Sequence, residues 1–261
     1  MSRFANAAEF IVRHRLDRTP LPQLSEDLAP RDLAEAYAVQ DEVHSLLEAS
    51  FGPIVGYKIG CTSDIMQRYL AIAHPCAGGT YADRVLKSDE SVPIGAFVRV
   101  GIECEIAVRL GRDVAPFGAP FTAQSIGNSV ECYFPAIEVV DDRYVEWQTL
   151  GAPTLIADDF FASSIVLGEP VAASRMPDLL TMPGRALVNG QEVGHGTGAD
   201  LMGSPLNALA WLATHLNAQG KQLLAGQTVM TGSVVQTVWM NAGDQVTVEF
   251  TGLGEAKIQF I

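Results

Sequence analysis

The feature that most constrains how this chain can fold is a glutamate inside an otherwise apolar run, Phe134-Pro-Ala-Ile-Glu-Val-Val140. Such a run reads as a buried strand, and an ionised carboxylate within it is costly to bury unless something receives its charge. Any fold must therefore bring a partner to Glu138. Arg143 or Arg109 would be the ordinary partner, and a metal ion shared with other carboxylates is the alternative. Gly101-Ile-Glu-Cys-Glu-Ile-Ala-Val-Arg-Leu110 supplies candidates: alternate residues of a strand share a face, so Glu103 and Glu105 project together while Ile102, Cys104 and Ile106 line the other side. A Glu-x-Glu pair is ordinarily a solvent-facing strip of an amphipathic strand. Here both flanks are apolar, and adjacent carboxylates repel unless positive charge lies between them. Oxygen-only ligation by Glu103, Glu105 and Glu138 points to magnesium or manganese, which keep open positions for water and substrate.

Lys58 is the only charge in Ile54-Val-Gly-Tyr-Lys-Ile-Gly60. A lysine on an edge strand can simply extend its ammonium to water; beside a metal site it becomes a proton donor, a proton acceptor or an electrostatic clamp. The five histidines show no HExxH-type spacing, which argues against zinc. Gly194-His-Gly-Thr-Gly198 follows a hairpin rather than linking strand to helix, so it does not read as a phosphate loop.

With 261 residues, 48% hydrophobic and 18% charged, the chain is long and apolar enough for one large domain, or a domain with a small annex. A net charge of -13 repels nucleic acid and anionic membrane, so neither is expected as a partner. An anionic substrate would then need a local cation, a lysine or a metal. Cys61, Cys76, Cys104 and Cys132 form no CxxC pair, which fits reduced thiols and a cytoplasmic location. Met1 to Arg18 is too charged for a signal peptide, and no stretch approaches a membrane span.

The apolar spacing predicts helices over 4–15 and 33–49, the second burying Leu33, Ala36, Tyr37, Gln40, Val43 and Leu47 on one face. Strands are expected at Ile54 to Ile59, Phe97 to Leu110, Phe134 to Val140, Thr228 to Met230, Gln245 to Phe250 and Ala256 to Phe260. A hairpin is expected about Asn189-Gly190. Ser204-Pro205 reads as the start of a helix reaching about Gln219. Strands and helices do not alternate, which indicates an α+β chain.

Several segments, in this order and spacing, carry a resemblance: Ala36-Tyr-Ala-Val-Gln40, Lys58-Ile-Gly60 with Met66-Gln67, Gly101-Ile-Glu-Cys-Glu105, Pro135-Ala-Ile-Glu-Val139, Ala157-Asp158, Pro205-Leu-Asn-Ala208 with Trp211-Leu-Ala213, Thr231-Gly232, and Ala242-Gly-Asp244 with Gly252-Leu-Gly254. Over nearly its whole length the chain resembles the 2-oxopent-4-enoate (2-hydroxypenta-2,4-dienoate) hydratases and 4-oxalocrotonate decarboxylases of the fumarylacetoacetate hydrolase superfamily. The resemblance implies a mixed β-sheet curled into a roll, with a smaller, mainly helical N-terminal region. This divides the chain at 1–80 and 81–261. It also implies Glu103, Glu105 and Glu138 as ligands of Mg2+ or Mn2+, Lys58 as the catalytic lysine, and a homo-oligomer. Gly232 and Ser233 are the candidates for binding a substrate oxygen. The implied activity is metal-dependent hydration of a 2-hydroxydienoate to a 4-hydroxy-2-oxo acid in aromatic-compound catabolism. Decarboxylation of a 2-oxo diacid and acylpyruvate-type carbon–carbon hydrolysis are alternatives, as is a metal and 2-oxo acid binding protein without hydratase activity. Two positions depart from the family pattern. Cys76 stands in His74-Pro-Cys-Ala-Gly78 where a catalytic aspartate is usual, and Ser204 stands where a histidine is usual. A thiol copies a carboxylate's charge at neutral pH only if its pKa is depressed, for instance by Lys58.

Overall fold

The computed structural model describes residues 2–115, 120–176 and 178–261. Two helices open the chain, α1 (Arg3–Asp17) and α2 (Leu33–Phe51). Asp32 starts α2 by accepting from the Glu35 amide, and the face bearing Ala36, Tyr37, Gln40, Val43 and Leu47 is buried. Gln40 is satisfied inside: its side-chain amide donates to the carbonyls of Ala77 at 2.9 Å and Ile156 at 2.7 Å.

Strands dominate the remainder: β1 (Ile54–Gly60), β2 (Cys76–Tyr81), β3 (Val85–Lys87), β4 (Glu90–Val92), β5 (Val100–Leu110), β6 (Val130–Asp141), β7 (Ala162–Leu167), β8 (Val171–Ala172), β9 (Pro183–Val188), β10 (Gln191–Thr197), β11 (Thr228–Ser233), β12 (Val238–Trp239), β13 (Gln245–Phe250) and β14 (Gly254–Phe260). Short helices α3 (Asp64–Tyr69), α4 (Ala123–Gly127) and α5 (Gly151–Ala157) lie between them, and α6 (Pro205–Ala218) is the long helix of the body. The Ser204 hydroxyl caps α6 by accepting from the Leu206 amide, with Pro205 in its first turn.

The larger sheet runs β2-β1-β11-β5-β6-β7-β3, with β12 also on β5 and β8 on β6; the smaller runs β10-β9-β13-β14-β4. β1 is parallel to β11 and β3 to β7, and the rest of the larger sheet is antiparallel. The result is the mixed, curled sheet of an α+β molecule, and it takes strands from both sides of residue 80.

Three local differences from the expected strands have plain causes. β5 begins at Val100 rather than Phe97, because the amides of Val98 and Arg99 donate to Asp141 Oδ1 instead of joining a ladder. β6 extends back to Val130, where it pairs with Leu110 of β5. β2 was not foreseen, since its two central glycines hide a strand buried at all six residues. The hairpin forms as its dipeptide dictates, with Asn189 at φ +52° and Gly190 at +78° joining β9 to β10.

Register decides which side chains meet, since directly paired residues share a sheet face. Lys58 pairs with Met230, Met230 with Ala107, Ala107 with Phe134, and Glu103 with Glu138. Lys58, Glu103, Glu105 and Glu138 therefore project from one face of the larger sheet. Ile59, Ile102, Ile106, Ile137 and Val139 project from the other, into the main core. A separate apolar cluster that includes Ala107, Phe134, Ala136, Ile165 and Met230 floors the carboxylate face.

Candidate metal centre

Glu103 and Glu138 stand directly opposite each other across β5 and β6, an arrangement that is repulsive by itself. With Glu105 they offer one carboxylate oxygen each, all within 4.8 Å of one another. Neither arginine considered for Glu138 reaches it: Arg109 pairs with Glu131 at 2.9 Å and Arg143 with Asp158 at 2.6 Å. The partner is Lys58, whose Nζ lies 3.2 Å from Glu138 Oε1 and donates to the Phe160 carbonyl at 2.7 Å. The three glutamates are otherwise held piecemeal. Glu105 Oε2 accepts from the Gly232 amide at 2.9 Å, and Glu103 Oε1 accepts from the Thr237 hydroxyl. Glu105 Oε1 is buried without a hydrogen-bond partner among the described residues.

One ammonium among three carboxylates leaves the site short of positive charge. Burial, reinforced by Glu138 and Glu103, holds Glu105 well above the usual carboxylate range. Burial and Glu138 raise Glu103, against the opposing pull of Lys58 and Thr237. For Lys58, burial pulls downward but Glu138, Glu103 and Glu105 together outweigh it, so the ammonium is favoured. An orphaned buried oxygen, three convergent carboxylates and an oxygen-only donor set fit a hard divalent cation.

The local architecture shows how the backbone reaches these groups. Between the pairs Met230–Ala107 and Ser233–Glu105, β11 places two residues, Thr231 and Gly232, against Ile106 alone on β5, which is a bulge. Thr231 is tied down by its hydroxyl donating to the Ile106 carbonyl at 2.7 Å, and the freed Gly232 amide turns to Glu105. Gly232 has φ +105°, and a Cβ there would lie 2.6 Å from the Thr62 side chain, so neither conformation nor space admits another residue without strain. The Ser233 hydroxyl accepts from the amides of Cys104 at 3.0 Å and Val235 at 3.3 Å. It is thereby engaged with the backbone.

Gly60 pairs with Cys76 and Lys58 with Gly78, so Cys76 lies on the lysine's side of the sheet. Lys58 pulls the Cys76 thiol toward the thiolate but is outweighed. A hydrogen bond with Cys61 and burial push it upward instead, so Cys76 brings no negative charge. Ser204 sits elsewhere, lining an open groove with Tyr133. Tyr133 is five residues from Glu138 on the same strand, roughly 17 Å away. Two contributors escaped the sequence: Thr237 belongs to no recognisable pattern, and the Phe160 carbonyl is a backbone group that any residue type would carry.

Residues 79–261 match the fumarylacetoacetate (FAA) hydrolase C-terminal family. The chain belongs to the fumarylacetoacetate hydrolase family. Within that family it is 34% identical over 257 residues to 2-keto-4-pentenoate hydratase 1 of Dechloromonas aromatica (strain RCB), covering 97% of this chain and 95% of the relative. It is 30% identical over 263 residues to a 4-oxalocrotonate decarboxylase of Pseudomonas putida, covering 97% and 95%. The solved structure of 4-oxalocrotonate decarboxylase from Pseudomonas putida G7, complexed with magnesium and adipate, superposes with a TM-score of 0.93 at 27% identity, covering 100% of this chain and 99% of that one. The roll implied by the sequence resemblance is thus the fold this fumarylacetoacetate hydrolase family member adopts.

Proposed function

We propose that the chain is a divalent-metal-dependent hydro-lyase that adds water to a 2-hydroxydienoate, giving a 4-hydroxy-2-oxo acid, within the breakdown of aromatic compounds. The observation that carries this reading is the convergence of Glu103, Glu105, Glu138 and Lys58 on one sheet face, in a chain similar along its length to 2-keto-4-pentenoate hydratases. Glu103, Glu105 and Glu138 hold Mg2+ or Mn2+. When bound, such an ion supplies Lewis acidity toward the carboxylate and 2-oxygen of the substrate.

The chain's own residues provide the rest. In the reaction the dienol gains a proton at C5, and water adds at C4 of the resulting enone, for a net gain of one water. Lys58 directs its ammonium to Glu138 and the Phe160 carbonyl, leaving one N–H to meet the substrate's enolate oxygen and carry a proton. The Gly232 amide fixes Glu105, and Gly232 with Ser233 shapes the wall against which the substrate oxygen rests. The apolar floor of Ala107, Ala136 and Met230 keeps that end of the site dry.

Decarboxylation of a 2-oxo diacid is the second reading. It is favoured by the neutral Cys76, because loss of carbon dioxide needs no base to activate water. Two assays separate the readings. Loss of dienol absorbance that stops on adding EDTA is expected of the hydratase; carbon dioxide release from a β,γ-unsaturated 2-oxo diacid with no dienol loss would replace it by the decarboxylase. Oxalate binding with neither turnover would leave a binding protein. A homo-oligomeric, cytoplasmic enzyme belongs to the same proposal, with sedimentation velocity reading the subunit number. No helix among the described residues is long and apolar enough to cross a membrane.

A further inference from the structure

Lys58 owes its place to a carbonyl, and that carbonyl sits in an unusual turn. Asp159, Phe160 and Phe161 follow one another with φ +56°, +48° and +67°, a conformation that residues other than glycine rarely adopt singly. Such a turn persists only where its surroundings over-determine it. The surroundings here are the donors around Asp159, whose side chain is fully buried. Its Oδ1 accepts from His44 Nε2 at 2.6 Å and from the Gly79 amide at 2.9 Å, and its Oδ2 accepts from Arg15 at 2.9 Å. Arg15 belongs to α1, His44 to α2, and Gly79 to β2. Gly78, the register partner of Lys58, completes the fit, since a Cβ there would lie 3.0 Å from the Asp159 carbonyl oxygen.

We propose that Asp159 is a positioning residue for Lys58: by gripping Arg15, His44 and the Gly79 amide, it locks the left-handed turn whose Phe160 carbonyl holds the lysine ammonium beside Glu138. The N-terminal helices, which contribute no group to the carboxylate cluster, thereby set the place of its cation. The proposal rests on the metal-site reading only for its first test.

That test is a double-mutant cycle on the full chain, with Mn2+ affinity read by electron paramagnetic resonance and no substrate present. The set is wild type, Asp159→Asn, Lys58→Met and the double variant. If Asp159 acts through Lys58, Asp159→Asn changes Mn2+ affinity by about threefold or more when Lys58 is present and leaves it nearly unchanged in the Lys58→Met background. Equal changes in both backgrounds, or none in either, overturn the proposal. His44→Ala, which leaves Arg15 and the Gly79 amide on Asp159, takes the place of Asp159→Asn if that variant does not fold, with a smaller change of the same sign expected. If the wild-type chain binds no Mn2+, the metal reading fails, and a crystal structure of the variant decides the positioning role alone. Lys58 Nζ displaced from the Phe160 carbonyl supports it; Nζ still within hydrogen-bond distance overturns it.

Discussion

At the scale of single residues, Lys58 has two effects that oppose each other. Its ammonium neutralises part of the charge on Glu138 and so competes with any ion bound there, yet the proposed chemistry needs its proton. Lys58→Met is expected to tighten Mn2+ binding by about tenfold, on the order of one ion-pair's worth of free energy, while hydratase turnover falls at least as far. Weaker Mn2+ binding, read by titration, would show that the lysine supports the ion rather than competing with it. Cys76→Asp places a carboxylate on the lysine's side of β2, and under the hydratase reading it raises turnover by about tenfold or more, followed by dienol absorbance. Glu103, Glu105 and Glu138 were legible in the sequence because carboxylates in apolar strands are expensive, and Lys58 because it is the one charge in its strand. The relation between them was not. Which of Lys58, Arg109 and Arg143 reaches Glu138 depends on the register of strands far apart in sequence. Lys58 in the neighbouring strand suggests a depressed pKa for Cys76, but its contact with Cys61 and its burial reverse the sign.

At the scale of elements, the periodic and punctuated segments were readable: α1, α2, α6 and the β9–β10 hairpin all form where spacing and caps place them. β2 and β7 were not, the first because Gly78 and Gly79 carry no strand signal and the second because Ala162-Ser-Ser-Ile-Val-Leu167 is too short to declare a period. The β11 bulge was likewise invisible, although it aims the Gly232 amide. The departure at Ser204 takes on a structural meaning, as the hydroxyl caps α6. Ser204→Ala is expected to cost about 1 kcal/mol, read from urea midpoints, with metal affinity unchanged. Restoring the family's histidine by Ser204→His should leave turnover where it was; a gain would place this groove in the reaction after all.

At the scale of the whole molecule, the N-terminal helices are tied to the sheet by a buried charge network of Arg15, His44, Arg143, Asp158 and Asp159, with Tyr81 beside it. Burial alone would raise Asp159, but His44, Arg15 and the Gly79 amide hold it well below the usual carboxylate range. On acidification the unfolded chain therefore protonates this group first. Its contribution to stability is present above the unfolded carboxylate pKa, about 3.9, and is lost as pH falls below it toward the lower folded value. Urea midpoints should fall more steeply below about pH 4 for wild type than for Asp159→Asn; identical slopes would mean the network is not felt globally. The strand order carries one more consequence, for how the molecule assembles in time. β5 and β6 are consecutive antiparallel neighbours, whereas Lys58 arrives only when β1 has met β11 from the opposite end of the chain. Local pairings close early and distant ones late. If β5 and β6 pair first, Glu103 meets Glu138 before the chain's own countercharge is at hand, and dissolved magnesium is expected to accelerate the stopped-flow refolding of wild type and Lys58→Met alike.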